Sequence, residues 1–296
     1  TITTWNTSPI KDIQSCIQKN EALIEYSISK PDRQETRRMY IFLATRNKSE
    51  FFVGLLDSSY SEYLKTIEKY LSRYDPIASE ENPQDSLNTA LSGLYKILLG
   101  PVCNVLEGAS LIIIPDESLI NISFDALIRE CKGDHDKTDR YRYLIEDHDI
   151  RILPTSSLMN RSKNPPFRHP AQVRIFAQSY SNDKGAYLPA VEKEIKSIAE
   201  ITRGSEVPLN QPKEIILREM MNCDVIHFAL HSHTAKKDQS SSYLLLNDQK
   251  GRSLNNCLFD FEIEHQKLQN DLVVLNSCES GSGRFYSGEG LLSLSR

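Results

Sequence analysis

The chain has 296 residues, of which 39% are hydrophobic and 25% are charged, and its formal net charge is −5. This composition excludes a disordered chain and predicts a globular protein with one large core or two modest cores. The acidic balance offers no basic surface for nucleic acid, and no apolar run reaches the roughly 20 residues of a membrane helix. We therefore expect neither nucleic-acid binding nor a membrane span.

The first third of the chain predicts a small antiparallel sheet followed by two helices. Runs of Ile, Tyr, Phe and Val between turn-forming residues predict three strands, at 22–28, 37–45 and 51–56. Apolar residues at helical spacing then predict one helix over 60–74 and a second from Ser86 to Leu98.

From residue 111 onwards the pattern changes to strands that alternate with helices. Apolar runs predict strands at 111–114, 150–153, 173–177, 225–230 and 272–275, with helices at 190–202 and 211–221. The charged run 130–149 has no apolar periodicity and is interpreted as an exposed loop. This alternation predicts an α/β layer with a largely parallel sheet.

The six cysteines are scattered without paired spacing. This distribution argues against a disulfide framework and against a four-cysteine zinc site. It fits a reducing compartment, so we expect a cytoplasmic protein, and the sequence predicts no metal and no cofactor.

Two of the predicted strands end at residues that carry nucleophile chemistry, one at His231 and the other at Cys278. If these strands are parallel neighbours, both residues reach the carboxyl-terminal edge of the sheet, where open α/β folds keep their binding crevices. A thiol becomes a good nucleophile when a base takes its proton. The pair predicts a cysteine hydrolase with Cys278 as nucleophile and His231 as general base and acid. A lone cysteine at a strand end is usually a small buried residue, and His231 on the preceding strand is what favours catalysis.

Two further histidines flank His231. His227 lies four positions earlier on the same strand and is interpreted as a hydrogen-bonded core residue, whereas His233 is placed in the following loop as a candidate for substrate contact. The three histidines suggest zinc, but the usual helical or compact Cys/His ligand motifs are absent from the sequence, so no metal site is predicted.

Motifs beyond this pair resemble a known family. Ser-Cys-Glu-Ser-Gly at 277–281 precedes Gly-Glu-Gly at 288–290, Pro115-Asp116 follows a strand, and Leu188-Pro189 precedes Glu194. Together with His231-Ser232, these motifs are similar to those of the CHAT domain, a caspase-like group of cysteine peptidases in the clan of caspases, separases and metacaspases. The resemblance extends from about residue 22 to the end of the chain.

The resemblance implies a caspase-like three-layer α/β fold with a largely parallel sheet, preceded by a smaller α+β, pseudo-protease-like half. Residues 1–165 would form the inactive half and residues 166–296 the catalytic half, truncated at its C-terminus, with 288–290 opening a helix. It also implies a bacterial protein that acts in defence or a cell-death-like system, under an upstream sensing or repeat module.

In this scheme a protein substrate is cleaved through an acyl-enzyme intermediate. The backbone amides of Ser232 and Cys278 would stabilise the oxyanion. The candidates for substrate binding are Asp183, Glu279, Asn276 and His233. Some clan members that cleave after basic residues carry Asp at the position of Asn276, so Asn276 weakens the expectation of a basic preference.

Two alternatives to a peptidase stay open. One is a catalytically silent interaction module with the same fold, and the other is a thiol hydrolase or acyltransferase that acts on small molecules. Arg296 is interpreted either as a processing site, after which a second chain would stay bound, or as an arbitrary end of the sequence.

Overall fold

The structure is a computed structural model. It describes residues 9–32, 36–72, 83–129, 141–161, 171–180, 187–209, 212–234, 241–247, 255–277, 283–286 and 290–293. The chain divides into two compact units, Thr1–Lys163 and Asn164–Arg296. The assignment of an inactive and a catalytic half stays a prediction.

The first unit is built on a five-stranded mixed sheet. Its strands are β1 (Glu21–Ile28), β2 (Arg37–Thr45), β3 (Ser49–Leu56), β4 (Ser110–Ile114) and β7 (Ile150–Ile152), and the pair β5 (Ile128–Arg129) and β6 (Arg142–Tyr143) lies apart from it. The order is β3-β2-β1-β4-β7, antiparallel from β3 to β1 and parallel from β1 to β7. The predicted three-stranded antiparallel meander is confirmed.

Helices cover both faces of this sheet. They are α1 (Ile10–Cys16), α2 (Ser58–Ser72) and α3 (Pro83–Leu98). The apolar stripes of α2 and α3 pack on one face, around the fully buried Ile24, Leu94 and Ile113. On the other face, Ile13 of α1 and Ile17, which directly follows α1, pack with Leu23. Burial of these stripes explains why the two predicted helices form.

The interpretation of 130–149 as an exposed loop is wrong for its described part. Residues 142–143 pair with 128–129, a 3₁₀ turn follows at Leu144–Glu146, and Leu144 is fully buried. His148 is also buried, and its Nδ1 lies 2.8 Å from the Ala109 carbonyl oxygen. Single buried anchors of this kind leave no periodic signal, which is why the sequence pattern missed them.

The second unit contains a four-stranded sheet of parallel pairs. Its strands are β8 (Val173–Ala177), β9 (Ser205–Glu206), β10 (Val225–Ala229) and β14 (Leu272–Asn276), in the order β14-β10-β8-β9. Its helices are α4 (Val191–Thr202), α5 (Lys213–Met221) and α6 (Asp260–Glu264). The predicted parallel sheet is confirmed for this unit.

Two smaller sheets complete the second unit. One consists of β11 (Ser232–His233), β12 (Tyr243–Leu245) and β13 (Cys257–Phe259), and the other of β15 (Gly283–Tyr286) and β16 (Gly290–Ser293). The expected helix that opens at 288–290 is corrected by this hairpin, because Gly290 begins a strand that pairs antiparallel with β15. Backbone hydrogen bonds between the two strands replace the intrahelical ones that the family pattern implied.

The strand β10 is the centre of the second core. All five of its residues are buried, as expected for a central parallel strand covered on both faces. Val225 and Ala229 pack toward Val191 and Ile195 of α4, whereas Ile226 and Phe228 pack with α5 and the sheet of β11 to β13. The protein is thus mixed α/β with a parallel sheet, and the caspase-like three-layer arrangement stays a prediction. No helix among the described residues is long and apolar enough to cross a bilayer.

Candidate functional site

Three neighbouring strands of the second unit end at the same edge of the sheet. The register aligns Ala229 at the end of β10 with Ala177 of β8 on one side and with Asn276 of β14 on the other. The sequence-based condition that the strands before His231 and Cys278 are parallel neighbours is therefore confirmed. Because carboxyl ends of parallel strands meet at one edge, residues that follow these three strands collect there.

His231 follows β10 by two residues and is held through its backbone. Its N–H donates to the Tyr180 hydroxyl at 3.0 Å, and its carbonyl accepts from the Leu245 N–H at 2.8 Å. The Tyr180 and His231 rings lie 4.6 Å apart between centroids, with an angle of 40° between their planes. The imidazole is half-buried at the carboxyl edge of the sheet.

The predicted site residues also include the nucleophile and two acidic candidates for substrate binding. Cys278, Asp183 and Glu279 lie outside the described residues, and Ser277 is the last described residue before Cys278. Along the sequence, Cys278 follows the end of β14 by two residues, as His231 follows the end of β10.

Ser232 and His233 form the short strand β11, so the placement of His233 in a loop is wrong. The two residues pair antiparallel with Leu244 and Tyr243 of β12. The His233 imidazole packs on the Tyr243 ring, with 5.1 Å between centroids. This ring contact and the strand pairing hold His233 more firmly than a loop position would, and neither leaves a signal in local sequence periodicity.

Asn276 belongs to a polar cluster below the edge. The Glu194 Oε1 atom of α4 accepts from Asn276 Nδ2 at 2.8 Å and from His227 Nε2 at 2.8 Å. His227 is 9% exposed, so its interpretation as a hydrogen-bonded core residue is confirmed. A single carboxylate therefore joins α4, β10 and β14 immediately before the segment that contains Cys278.

Sequence reasoning missed Tyr180 and the role of Glu194. Tyr180 follows β8 by three residues, and β8 is the other neighbour of β10. Inspecting the residues that follow every parallel strand, instead of only the two with nucleophile chemistry, would have found Tyr180. No local signal could have paired Glu194 with Asn276, because the two are separated by 82 positions.

Four of the six cysteines lie within the described residues. Cys16, Cys103, Cys223 and Cys257 are present as thiols. Burial raises the pKa of the Cys223 thiol to about 11, which keeps it protonated and unreactive at neutral pH. Across the part of the chain that the structure describes, no cluster of three or more His, Cys, Asp or Glu side chains could hold a metal ion.

Comparison with known proteins identifies the family. No curated protein is significantly similar to the chain. The family model described as "CHAT domain" matches residues 88–296, which is most of the chain. This range includes all of the second unit and begins within α3, so β1 to β3 and α2 lie outside it. CHAT domains form a family of caspase-like fold whose members are generally assigned as peptidases. The chain belongs to the CHAT family.

Proposed function

We propose that the protein is a cysteine endopeptidase that cleaves a protein substrate through a Cys278–His231 dyad and an acyl-enzyme intermediate. The observation that carries the proposal is the parallel pairing of β10 with β14, in which Ala229 is aligned with Asn276. Counted along the sequence, His231 and Cys278 each stand two positions beyond these aligned residues. The two strands thus direct an imidazole-bearing and a thiol-bearing segment to one edge.

In this mechanism His231 takes the proton of the Cys278 thiol, and the thiolate attacks the scissile carbonyl. The same imidazole then protonates the leaving amine, and water releases the acyl group from sulfur. A Cys-His pair does not need a tightly bonded third acid, so the mechanism requires no carboxylate beside His231.

The backbone amides of Ser232 and Cys278 stabilise the oxyanion. Support for Ser232 comes from the ladder between β11 and β12. The Leu245 N–H donates to the His231 carbonyl, so His231 and Leu245 are a hydrogen-bonded pair of the antiparallel ladder. Ser232 and Leu244 are the next pair, and pairs alternate, so theirs is a non-hydrogen-bonded pair. At such a position the N–H of Ser232 is directed to the side opposite β12. One oxyanion donor contributes about 3–4 kcal/mol in other hydrolases.

Substrate residues bind near Asn276 and His233, together with Asp183 and Glu279. The Glu194 carboxylate accepts from the Asn276 amide and so holds this side chain at the end of β14. The target is a protein, and activity is controlled by an upstream sensing or repeat module in a bacterial defence or cell-death-like system. The protein works in the cytoplasm, where its thiols stay reduced.

A second polypeptide segment packs along β14. Support comes from β14 itself, which is an edge strand among the described strands of its sheet. Leu272 and Val273 on this strand are 46% and 42% exposed. Edge strands with exposed apolar residues are usually covered in native proteins.

An acyl-type activity probe tests the proposed function. We expect covalent labelling of Cys278 that disappears in Cys278→Ala and in His231→Ala, and loss of turnover in Cys278→Ser with the fold retained, because that change is nearly isosteric. Cys103→Ala is the matched control, since it removes an exposed thiol of the first unit and should leave labelling unchanged. Absence of labelling in the activated full-length protein would instead favour the catalytically silent interaction module.

A further inference from the structure

Tyr180 has an unusual backbone conformation beside the proposed dyad. It is fully buried, and its φ of 54° lies in the left-handed region. A bulky residue other than glycine adopts this conformation rarely, because its Cβ crowds the backbone. Such strain persists where surrounding contacts fix the residue, and it concentrates at functional sites. The contacts of Tyr180 therefore indicate which structural role requires this conformation.

The Tyr180 hydroxyl is inserted into the ladder between His231 and β12. The pairing of Ser232 with Leu244 places His231 opposite Leu245 at the next position. One bond of that position is direct, from Leu245 N–H to the His231 carbonyl at 2.8 Å. On the reciprocal side the Tyr180 hydroxyl accepts from His231 N–H at 3.0 Å and donates to the Leu245 carbonyl at 2.5 Å.

This insertion fixes the main chain of His231 from both sides. Residues opposite each other at a hydrogen-bonded antiparallel position normally exchange both bonds directly. Here the Tyr180 hydroxyl replaces one direct bond and still satisfies both backbone groups. The chain leaves β10 and enters β11 at this point, which is where the side chain of His231 must be aimed.

The Tyr180 ring supports the His231 imidazole itself. The two ring centroids are 4.6 Å apart with a tilt of 40°, which is close packing for an aromatic pair. Because Tyr180 is fully buried, the ring cannot move away without opening the core beneath the edge. The same side chain therefore limits both the backbone and the ring of His231.

We propose that Tyr180 is a positioning residue that orients His231 toward the nucleophile segment. This inference rests on the proposed function for the role of His231, and its geometry is independent of that role. The hydroxyl sets the backbone of His231, and the ring limits the rotation of its imidazole. Tyr180 itself does not touch the reacting atoms.

The test uses Tyr180→Phe in the 296-residue chain, since this variant keeps the ring and removes only the hydroxyl. Tyr26→Phe is the matched control, because Tyr26 is a buried tyrosine of the first unit whose hydroxyl also donates to a backbone carbonyl, that of Leu98, at 3.1 Å. Both variants remove a bond from a tyrosine hydroxyl to a backbone carbonyl, and Tyr180→Phe also removes the acceptor of the His231 N–H.

The direct readout is the state of His231 in protein labelled with ¹⁵N-histidine. We expect Tyr180→Phe to shift the His231 ring signals and to speed exchange of its backbone amide by roughly five- to tenfold, the effect of one lost hydrogen bond. Tyr26→Phe should leave both unchanged. In the unaltered chain a nuclear Overhauser contact should join the Tyr180 and His231 rings, which tests the geometry even if the variant does not fold.

The chemical readout is the rate at which iodoacetamide alkylates Cys278 as a function of pH. We expect Tyr180→Phe to slow alkylation about fivefold near pH 7, where the thiol depends on the imidazole, and to react like the unaltered chain near pH 10, where thiols ionise unaided. A merely structural defect would change both rates.

Two outcomes separate this inference from the proposed function. His231 signals and amide exchange that are unaltered in Tyr180→Phe, or a missing contact between the two rings, overturn the positioning role. If these signals change as expected while His231→Gln leaves alkylation of Cys278 unaffected, Tyr180 does position His231 and the catalytic dyad fails.

Discussion

The two units end their central parallel strands in different ways. In the first unit β4 is followed by Asp116, whose carboxylate accepts from the backbone N–H groups of Ile28 at 2.8 Å and Ser118 at 3.2 Å. In the second unit β10 is followed by His231, whose backbone is held by the Tyr180 hydroxyl. The Asp116 side chain thus binds backbone N–H groups in the first unit, whereas in the second unit the backbone of His231 is bound and its imidazole lies half-buried at the edge.

Strand direction separates the units further. β1 and β2 of the first unit run antiparallel, so their ends lie at opposite edges of the sheet. The described pairs of the four-stranded sheet are all parallel, which brings the ends of β8, β10 and β14 to one edge. Residues that follow these three neighbouring strands can therefore act together in the second unit. The parallel strands β1, β4 and β7 of the first unit also end at one edge, so the residues that follow the strands, and not strand direction alone, explain why the candidate site lies in the second unit.

Removal of the imidazole should have the largest effect. His231→Ala is expected to reduce the rate of probe labelling at Cys278 by at least about 10³-fold, as loss of a catalytic partner does in other hydrolases. His148→Asn is the control in the first unit, where His148 Nδ1 lies 2.8 Å from the Ala109 carbonyl oxygen, and labelling should stay near the unaltered rate. Equal losses in both variants would remove the functional contrast between the units.

Thiol reactivity provides the next test. Burial raises the pKa of Cys223 to about 11 from its ordinary value of 9, so at pH 8 the thiolate is about 100-fold less populated than in an ordinary thiol. Mass-spectrometric alkylation should find Cys223 far slower than the exposed Cys103. Because the folded pKa is raised, the linked stability is fully present below pH 9 and is lost as the pH rises through 11. Rapid alkylation of Cys223 at pH 8 would contradict its burial.

Glu194 of the second unit and Asp116 of the first unit should contribute similarly to stability, and only Glu194 should also affect the reactivity of Cys278. Glu194→Ala leaves two donors without their acceptor and is expected to cost about 2 kcal/mol in the free energy of unfolding, measured in urea, with Glu194→Gln less costly because it keeps an acceptor oxygen. Asp116→Ala should cost a comparable amount.

Only Glu194→Ala should also slow the labelling of Cys278, since Asn276 lies two residues before the nucleophile. Slower labelling in Asp116→Ala at a temperature where both variants are folded would show that the first unit contributes to the site.

The smallest effects are expected on the exposed edge strands. Leu55 on β3 is 70% exposed and Leu272 on β14 is 46% exposed, so in the chain by itself, without a second segment on β14, replacement of either by serine should change the free energy of unfolding by less than about 0.5 kcal/mol. The fully buried Ile113 is the contrast, because Ile113→Ala should cost about 2–5 kcal/mol. A large loss for Leu272→Ser alone would indicate that β14 is covered in solution.

The accuracy of the sequence-based predictions depended on the range of the interactions involved. Strands with dense apolar runs, such as β2 and β8, were predicted at their observed bounds, because contiguous buried residues appear in the sequence as an uninterrupted or alternating apolar run. His227 was assigned correctly from its place within such a run. His233 and the segment after residue 140 were misplaced, because pairing with distant partners decides their structure.

The amino-acid sequence alone determined the strand and helix segments, the alternation that makes the second sheet parallel, and the CHAT motifs that carry His231 and Cys278. These features follow from local hydrophobic pattern and residue chemistry. Tertiary structure alone decided that β10 lies between β8 and β14, that Glu194 joins His227 to Asn276, and that the Tyr180 hydroxyl enters the ladder beside His231. These contacts join residues 33 to 82 positions apart, and only packing of the folded chain brings such residues within hydrogen-bonding distance.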